Sequence, residues 1–376
     1  MTNLGSMLRN RWRAGLCLAI AVATTSCAGT PPSARLVPTS TTTQELNAPD
    51  ETAALTAPSS SQDPEQQVAD AVSTTLPPAQ RDVWPLTGVK GEEVGDWPAL
   101  VVKIDNHDRA RPQFGINSAD VVFEEIVEGG LTRFAAVFHS QGADIVGPVR
   151  SVRTSDFDLL RNFNRPLFAN SGGNEAVLEL LRDVDYVDVS SNADVDSYRR
   201  LTERQSPHNL VTSTKSLRLV GDDRGGGGSP SLLFVRRNFD EPLPATAVAV
   251  KGVDVSYGAT SVTYRWDQDR NGWIRSQNGS LHVDVAGVVV APEIVIVQTI
   301  SYRRSSADGR SPEAVLVGEG SALVLYDGHL IEGFWERGEA TALTRYTDRA
   351  GEAITLPPGI TWVALPRVGQ VHIVEQ

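Results

Sequence analysis

The chain has 376 residues, a formal net charge of −12 and 40% hydrophobic residues. The surplus of carboxylates argues against a nucleic-acid partner, because phosphate backbones are bound through an excess of Lys and Arg. Only two cysteines are present, so a fold held by a disulfide framework is excluded.

The N-terminus predicts export. A basic stretch, RNRWR, precedes the apolar run AGLCLAIAVATT, which is the layout of a signal peptide over residues 1–26. The run is too short for a membrane anchor, which needs about 20 apolar residues. It ends in TTSC, and small residues before Cys27 are typical of a bacterial lipobox, where the new N-terminal cysteine receives a lipid. Thr24 stands where a lipobox usually has Leu, so plain secretion is the alternative.

The next segment, residues 27–83, is predicted to be a disordered tether. After Cys27 it contains no aromatic residue and no lysine, and it is rich in Thr, Ser, Pro and Ala. Such a composition cannot bury enough apolar surface to fold. As a coil it would hold its ends about 40 Å apart, enough to place a domain away from a membrane surface.

The remaining residues predict two domains. Residues 84–228 alternate strand-like and helix-like runs, which indicates an α+β or α/β domain with a mixed sheet. Residues 229–376 read as short strands broken by Gly, Pro, Asn and Asp, which indicates a mostly antiparallel β domain. Four consecutive glycines lie close to this change, so the boundary falls within residues 222–245.

In the first domain, ALVVKID predicts a buried strand, and DVVFEEIVEGGLTRFAAVFHS predicts a hairpin whose two-residue loop is Gly129 and Gly130. That loop fixes which side chains share a face. The predicted apolar face holds Val121, Phe123, Glu125, Val127, Phe134, Ala136 and Phe138. The predicted polar face holds Asp120, Glu124, Glu128, Arg133 and His139.

Further along, PLFANSGGNEAVLELL predicts a short strand ending near Asn170, a turn and an amphipathic helix. The turn is formed by Ser171, Gly172 and Gly173. Backbone N–H groups at a helix start attract anions, and glycines let a ligand approach the main chain. A tight turn with a capping Ser or Asn is the structural alternative.

These segments resemble a known family. VVKIDNHDRARPQFGINSADVVFEEIVEGGLTRFAAVFHS, GPVRSVRTSDFDL, SGG, YRR and PHNLVTS are similar to the YerB-like lipoprotein family, and VGEGSALVLYDGHLIEGFWERG with LPPGITWVALP resembles its separate C-terminal domain. The resemblance covers residues 84–376. It implies an exported, usually lipid-anchored protein of mainly Gram-positive bacteria, built from domains of unknown function, and it brings no activity. The polar motifs of the family correspond here to Asp105, Asn106, His107, Arg111, Pro112, Glu124, Glu125, Glu128, Gly129, Gly130, Arg133, Arg150, Arg153, His208 and Asn209.

Arginines are the most informative part of that set. Guanidinium groups bind carboxylate and phosphate in bidentate fashion, so Arg111, Arg133, Arg150 and Arg153 either pair internally or bind an anionic ligand. The leading hypothesis is a binding or accessory module for an anionic or polar envelope ligand, such as a peptidoglycan fragment or an acidic segment of a surface protein. The candidate ligand-binding residues are Asp105, Asn106, His107, Arg111, Glu124, Glu128, Arg133, Arg150, Arg153, Ser171, Gly172, Gly173, His208 and Asn209.

The competing hypothesis is an envelope hydrolase that uses Glu124 or Glu128 with His208 or His107 as base and acid. No cofactor is predicted, and no metal, since the histidines show no close ligand pair such as H-E-x-x-H. The sequence DQDRNG resembles the start of a calcium loop, but a hairpin turn through Asn271 is favoured. The predicted partners are the membrane, through the N-terminal lipid, and a cell-wall component or envelope protein.

Overall fold

The computed structural model describes residues 82–238 and 240–376. The predicted signal peptide, Cys27 and nearly all of the predicted tether lie outside the described residues. Within the described ranges, no helix is both long enough and apolar enough to span a membrane.

Strands dominate the architecture, which comprises a first segment, residues 82–228, and a second segment, residues 229–376. The first segment contains β1 (Leu100–Asp105), β2 (Val121–Ile126), β3 (Thr132–Phe138), α1 (Ser155–Leu160), β4 (Leu167–Ala169), α2 (Glu175–Leu181), β5 (Val187–Asp188), β6 (Arg199–Arg200), β7 (Leu210–Val211) and α3 (Thr214–Asp223). The second contains β8 (Val248–Ser256), β9 (Ser261–Asp267), β10 (Gly272–Gln277), β11 (Ser280–Leu281), β12 (Ile294–Gln298), β13 (Tyr302–Arg304), β14 (Pro312–Ala314), β15 (Gly318–Tyr326), β16 (His329–Arg337), β17 (Arg345–Asp348), β18 (Thr361–Ala364) and β19 (Val371–Glu375).

The main sheet has 15 strands and follows the order β11-β10-β9-β8-β16-β15-β12-β18-β2-β3-β1-β4-β5, with β17 added beside β16 and β19 beside β8. Its first-segment part is mixed, because β1 runs antiparallel to β3 and parallel to β4. Its second-segment part is mostly antiparallel. The predicted fold class is therefore confirmed.

The two segments meet in the middle of this sheet. β18 runs parallel to β2, with Thr361 opposite Val121. Strands of both segments therefore belong to one hydrogen-bonded sheet. The division into domains at residues 228 and 229 stays a prediction.

The β2–β3 register differs by one residue from the prediction. Val121 lies opposite Val137, and Glu125 lies opposite Arg133 instead of Phe134. Because side chains alternate along a strand, this shift changes which residues share a face. The predicted grouping of Arg133 with Glu124 is wrong, and Arg133 shares its face with Glu125.

The turn explains the shift. Residues Glu128–Gly130 form one turn of 3-10 helix, closed by a 2.8 Å hydrogen bond from Val127 N to Leu131 O, so the loop includes Glu128 as well as both glycines. Gly130 has a φ of 74°, and a Cβ atom there would lie 2.8 Å from Ala259 N. The turn thus packs against the second segment where only glycine fits.

Both faces of β2 and β3 are buried. Val121 and Phe123 belong to one apolar cluster, whereas Phe134, Ala136 and Phe138 belong to another on the opposite face. The single apolar face of the prediction is therefore wrong, because the sheet is covered on both sides. As a consequence, Glu124 and Glu125 are both fully buried, on opposite faces.

Local predictions are confirmed elsewhere. β1 is buried along its whole length, and the strand before the Ser-Gly-Gly turn ends at Ala169. The sequence DQDRNG is a hairpin connection between β9 and β10, where Asp267 pairs with Gly272 and Asn271 has a φ of 49°.

Candidate anion-binding site

Three arginines, Arg133, Arg150 and Arg153, form what we call the arginine cluster. Arg133 comes from β3, and the other two come from the loop before α1. That loop is held by backbone hydrogen bonds from Arg150 N to Lys103 O, at 2.9 Å, and from Ser171 N to Arg150 O, at 3.0 Å. The cluster therefore sits between the end of β1 and the Ser-Gly-Gly turn.

Arg133 is the most buried member, with 6% of its surface exposed. Its guanidinium donates a hydrogen bond to the Ser151 carbonyl oxygen at 3.1 Å, and none of the described carboxylates lies within 4.0 Å of it. Burial, followed by the charges of Arg153 and Arg150, lowers the pKa of Arg133 to about 10. The group stays charged at neutral pH and has no direct counterion among the described residues.

Arg150 shares a carboxylate with a histidine. Asp105 Oδ2 lies 3.2 Å from Arg150 Nε and 2.6 Å from His208 Nδ1. The His107 ring stacks on the His208 ring, with centroids 4.5 Å apart. Asp105 thus orients His208 and only partly neutralises Arg150.

Arg153 forms a bidentate pair with Glu128, with distances of 2.8 and 3.1 Å. The Ser311 hydroxyl donates to the same carboxylate at 2.6 Å. Burial raises the pKa of Glu128, but the hydrogen bonds from Arg153 and Ser311 outweigh that effect and lower it to about 2. Glu128 is therefore ionised over the whole physiological range.

Behind the cluster lies a buried ionic triad of Lys103, Glu125 and Asp156. Lys103 Nζ contacts the Glu125 carboxylate and lies 2.7 Å from Asp156 Oδ1. One ammonium group faces two carboxylates, and burial raises the pKa of Glu125 to about 7 against the opposing effect of Lys103. Glu125 lies opposite Arg133, so the triad supports the strand pair that carries the cluster.

Glu124 belongs to a separate network on the other face. Its two oxygens accept hydrogen bonds from Arg275 of β10, at 2.8 and 3.0 Å, and both side chains are fully buried. Arg275 also donates to His282 Nδ1 at 2.7 Å, and His282 Nε2 lies 2.8 Å from Gln113 Oε1. Burial, with Arg275 nearby, lowers the pKa of His282 well below its usual range. The network joins the two segments and does not open to a ligand.

Sequence reasoning missed Arg275 and His282. A signal was available for the first of them, because Trp273, Arg275 and Gln277 alternate along β10 and therefore share one face. All three are buried. An arginine on the same strand face as a core tryptophan indicates a buried counterion.

Nine predicted site residues are brought together around the cluster: Asp105, His107, Glu128, Arg133, Arg150, Arg153, Ser171, Gly172 and His208. The others are used differently. Asn106 donates to Glu124 and Thr132 in the buried network. Arg111 pairs with Asp108.

Two further members of the predicted set have structural contacts. Asn209 accepts from Arg200 at 2.9 Å and donates to Leu201 O at 3.0 Å. A Cβ on Gly173 would lie 3.0 Å from Val152. Neither contact involves the cluster.

The shift in register also affects Asp120, at the other end of the predicted polar face of the hairpin. The Asp120 carboxylate accepts hydrogen bonds from the backbone N–H groups of His139 and Ser140. The side chain thus closes the end of β3.

The Ser-Gly-Gly turn follows the capping alternative. Asn174 caps α2 by accepting from Val177 N at 2.8 Å. Gly172 has a φ of 81°, and its carbonyl oxygen accepts from Val152 N at 3.0 Å. Within the described part of the chain, no group of three or more His, Cys, Asp or Glu side chains could hold a metal ion.

Comparisons with known proteins give the class of protein. Residues 86–226 match the family described as "Protein of unknown function (DUF3048) N-terminal domain", and residues 253–363 match its C-terminal domain. The crystal structure of the YerB protein from Bacillus subtilis has a TM-score of 0.70 and 27% sequence identity, covering 78% of this chain and 100% of that chain.

A curated relative extends the match. The chain is 30% identical over 308 residues to "Putative lipoprotein YerB" of Bacillus subtilis (strain 168), covering 79% of this chain and 89% of the relative. The chain belongs to the YerB-like DUF3048 family. Homology to YerB indicates an envelope-associated protein whose function the family leaves open.

Proposed function

We propose that this protein is exported, anchored by a lipid on Cys27, and binds an anionic envelope ligand at the arginine cluster. The observation that carries the binding proposal is Arg133, a buried guanidinium with one backbone carbonyl partner and no described carboxylate within 4.0 Å. Peptidoglycan fragments and acidic protein segments are among the anionic envelope ligands that would fit a cationic site of this kind.

The charges of the cluster support an anion. Its three guanidinium groups are balanced by two carboxylates, Asp105 and Glu128, of which Asp105 is shared with His208. A buried charge costs several kcal/mol unless it is paired. A ligand oxyanion at Arg133 would supply that pairing and could also accept from the partly exposed Arg150 and Arg153.

We expect Arg133→Gln to weaken capture of isolated cell-wall material by at least about tenfold, because a hydrogen bond to a charged group contributes about 1.5–3 kcal/mol. Capture is measured by co-sedimentation of the purified mature protein. The matched control is Arg270→Gln, which removes an exposed arginine paired with Asp267. Equal capture by Arg133→Gln and the control would contradict the proposal, provided that both variants unfold at the same urea concentration as the parent protein.

The hydrolase alternative is less well supported by the positions of its carboxylates. Glu124 is sealed by Arg275, and Glu128 is held ionised by Arg153 and Ser311. Among the described residues, the Asp105 and His208 pair has the arrangement of an orienting carboxylate and an imidazole. In the capture experiment we expect the ligand to be recovered intact, whereas released glycan or peptide fragments would favour the hydrolase.

Anchoring is tested by Cys27→Ser. We expect the parent protein in the membrane fraction and the variant in the soluble extracytoplasmic fraction, because the lipid is the proposed attachment. The measurement is fractionation followed by immunoblotting. If the parent protein is already soluble, the chain is secreted without a lipid.

A further inference from the structure

A second cationic feature adjoins the arginine cluster. It is an open cavity of about 610 Å³ between the Glu128–Gly130 turn, the β13–β14 hairpin and the turn that precedes β19. Four arginines line it: Arg303, Arg304, Arg310 and Arg367. Glu128 is the one acidic side chain among the described lining residues.

Two of these arginines are already paired. Arg303 contacts Glu313 at 2.5 Å, and Arg310 is 3.9 Å from Asp308. Arg304 and Arg367 differ, because no described carboxylate lies within 4.0 Å of either guanidinium. Arg367 instead lies over the Tyr302 ring, 4.8 Å from its centroid.

Hydrogen bonds join the cavity to the cluster through Glu128. Arg153 binds Glu128 from the side of the cluster, and Ser311 binds it from the side of the cavity. The Ser311 hydroxyl oxygen also lies 2.9 Å from Asp308 Oδ2. Glu128, the acidic side chain that the two regions share, is therefore paired, and cationic side chains of both segments lie on either side of it.

We propose that the ligand is a linear polymer with repeated phosphate groups, and that consecutive phosphates occupy the arginine cluster and the region of Arg304 and Arg367. This inference rests on the proposed function of the cluster. Two adjoining cationic regions fit a ligand whose charges recur along a chain, since linking two binding groups raises affinity without any new kind of contact.

Phosphate fits the cluster better than carboxylate does. A carboxylate has two oxygens in one plane, and a single guanidinium can occupy both of them. A phosphate group offers more acceptor oxygens in a tetrahedral arrangement, so several guanidinium groups can bind it from different sides. Arg133, which has no described carboxylate within 4.0 Å, and Arg150, which shares Asp105 with His208, are therefore matched to phosphate, and Arg153 lies beside them.

The test is the binding of inorganic phosphate and of linear polyphosphates of increasing length, measured by calorimetry with the mature protein at constant ionic strength. We expect affinity to rise at least tenfold between the shortest and the longest chain. The double variant Arg304→Gln/Arg367→Gln should keep the short-chain affinity and lose the increase with length. The double variant Arg270→Gln/Arg349→Gln removes the same net charge from exposed pairs elsewhere and should behave like the parent protein.

The outcomes separate the two proposals. If short chains bind, depend on Arg133, and show no gain with length, the polymer inference is overturned and the cluster stands. If Arg133→Gln leaves short-chain binding unchanged, the proposed function fails and the inference fails with it. Equal affinity for poly-glutamate of matched charge, with the same dependence on Arg304 and Arg367, would overturn the assignment of phosphate.

Discussion

Replacing Arg275 with Met is expected to lower the free energy of unfolding by about 3–5 kcal/mol, because removing one partner of a buried ion pair leaves an uncompensated buried charge. Glu124 would remain fully buried, with hydrogen bonds from Asn106 and Thr132 but without a cation. Urea unfolding followed by circular dichroism measures the change.

The matched control for this variant is Arg265→Met on the neighbouring strand β9. Arg265 pairs with Asp254, and both side chains are more than a third exposed, so we expect a change of about 0–1 kcal/mol. Adding Glu124→Gln to Arg275→Met should recover part of the loss, because the buried charge is removed. If Arg275→Met costs no more than the control, the pair does not join the segments as its geometry indicates.

Lys103→Met is expected to cost a similar amount, about 3–5 kcal/mol at pH 8, because it leaves Glu125 and Asp156 buried together without their shared cation. The pH dependence of this loss in unfolding free energy shows whether the unpaired carboxylates cause it. At pH 5 the loss should be smaller, since a buried carboxyl group without a cation can bind a proton instead.

Glu125 determines whether the stability of the folded protein rises or falls with pH in this region. Burial raises its pKa to about 7 in the folded protein, above the ordinary 4.5. The folded state therefore binds a proton more tightly than the unfolded state, and the resulting stabilisation is complete below pH 4.5 and is lost as pH rises through about 7. We expect the free energy of unfolding of the Glu125→Gln variant to change less between pH 4.5 and about 7 than that of the parent protein. An unchanged slope in Glu125→Gln would assign the pH dependence to another group.

The two buried networks have one strand in common. Glu124 and Glu125 are consecutive residues of β2, and they point to opposite faces of the sheet. Glu124 binds β10 of the second segment through Arg275, whereas Glu125 binds Lys103 of β1. β2 is thus tied to both segments, and its partner β3 carries Arg133. β2 therefore contributes to the stability of the sheet and, through its pairing with β3, to the position of Arg133.

Sequence patterns determined the features that depend on near neighbours. The apolar run of β1 and the hairpin between β9 and β10 were predicted from residues a few positions apart, and so was the alternative of a capping Ser or Asn at the start of α2. The change from a mixed to an antiparallel sheet was predicted for the same reason, since strand and helix periodicities are local. The export signal, too, is a property of consecutive residues, and it lies outside the described part of the chain.

Only the tertiary structure decided the grouping of the charged side chains. The β2–β3 turn includes Glu128, and its Gly130 packs against Ala259 of the other segment. The resulting shift in register places Arg133 opposite Glu125. Arg275 meets Glu124 across 151 positions of sequence. A local pattern cannot specify such contacts, because they depend on which strands pair in the assembled sheet. They also depend on which side chains are then buried on each face of that sheet.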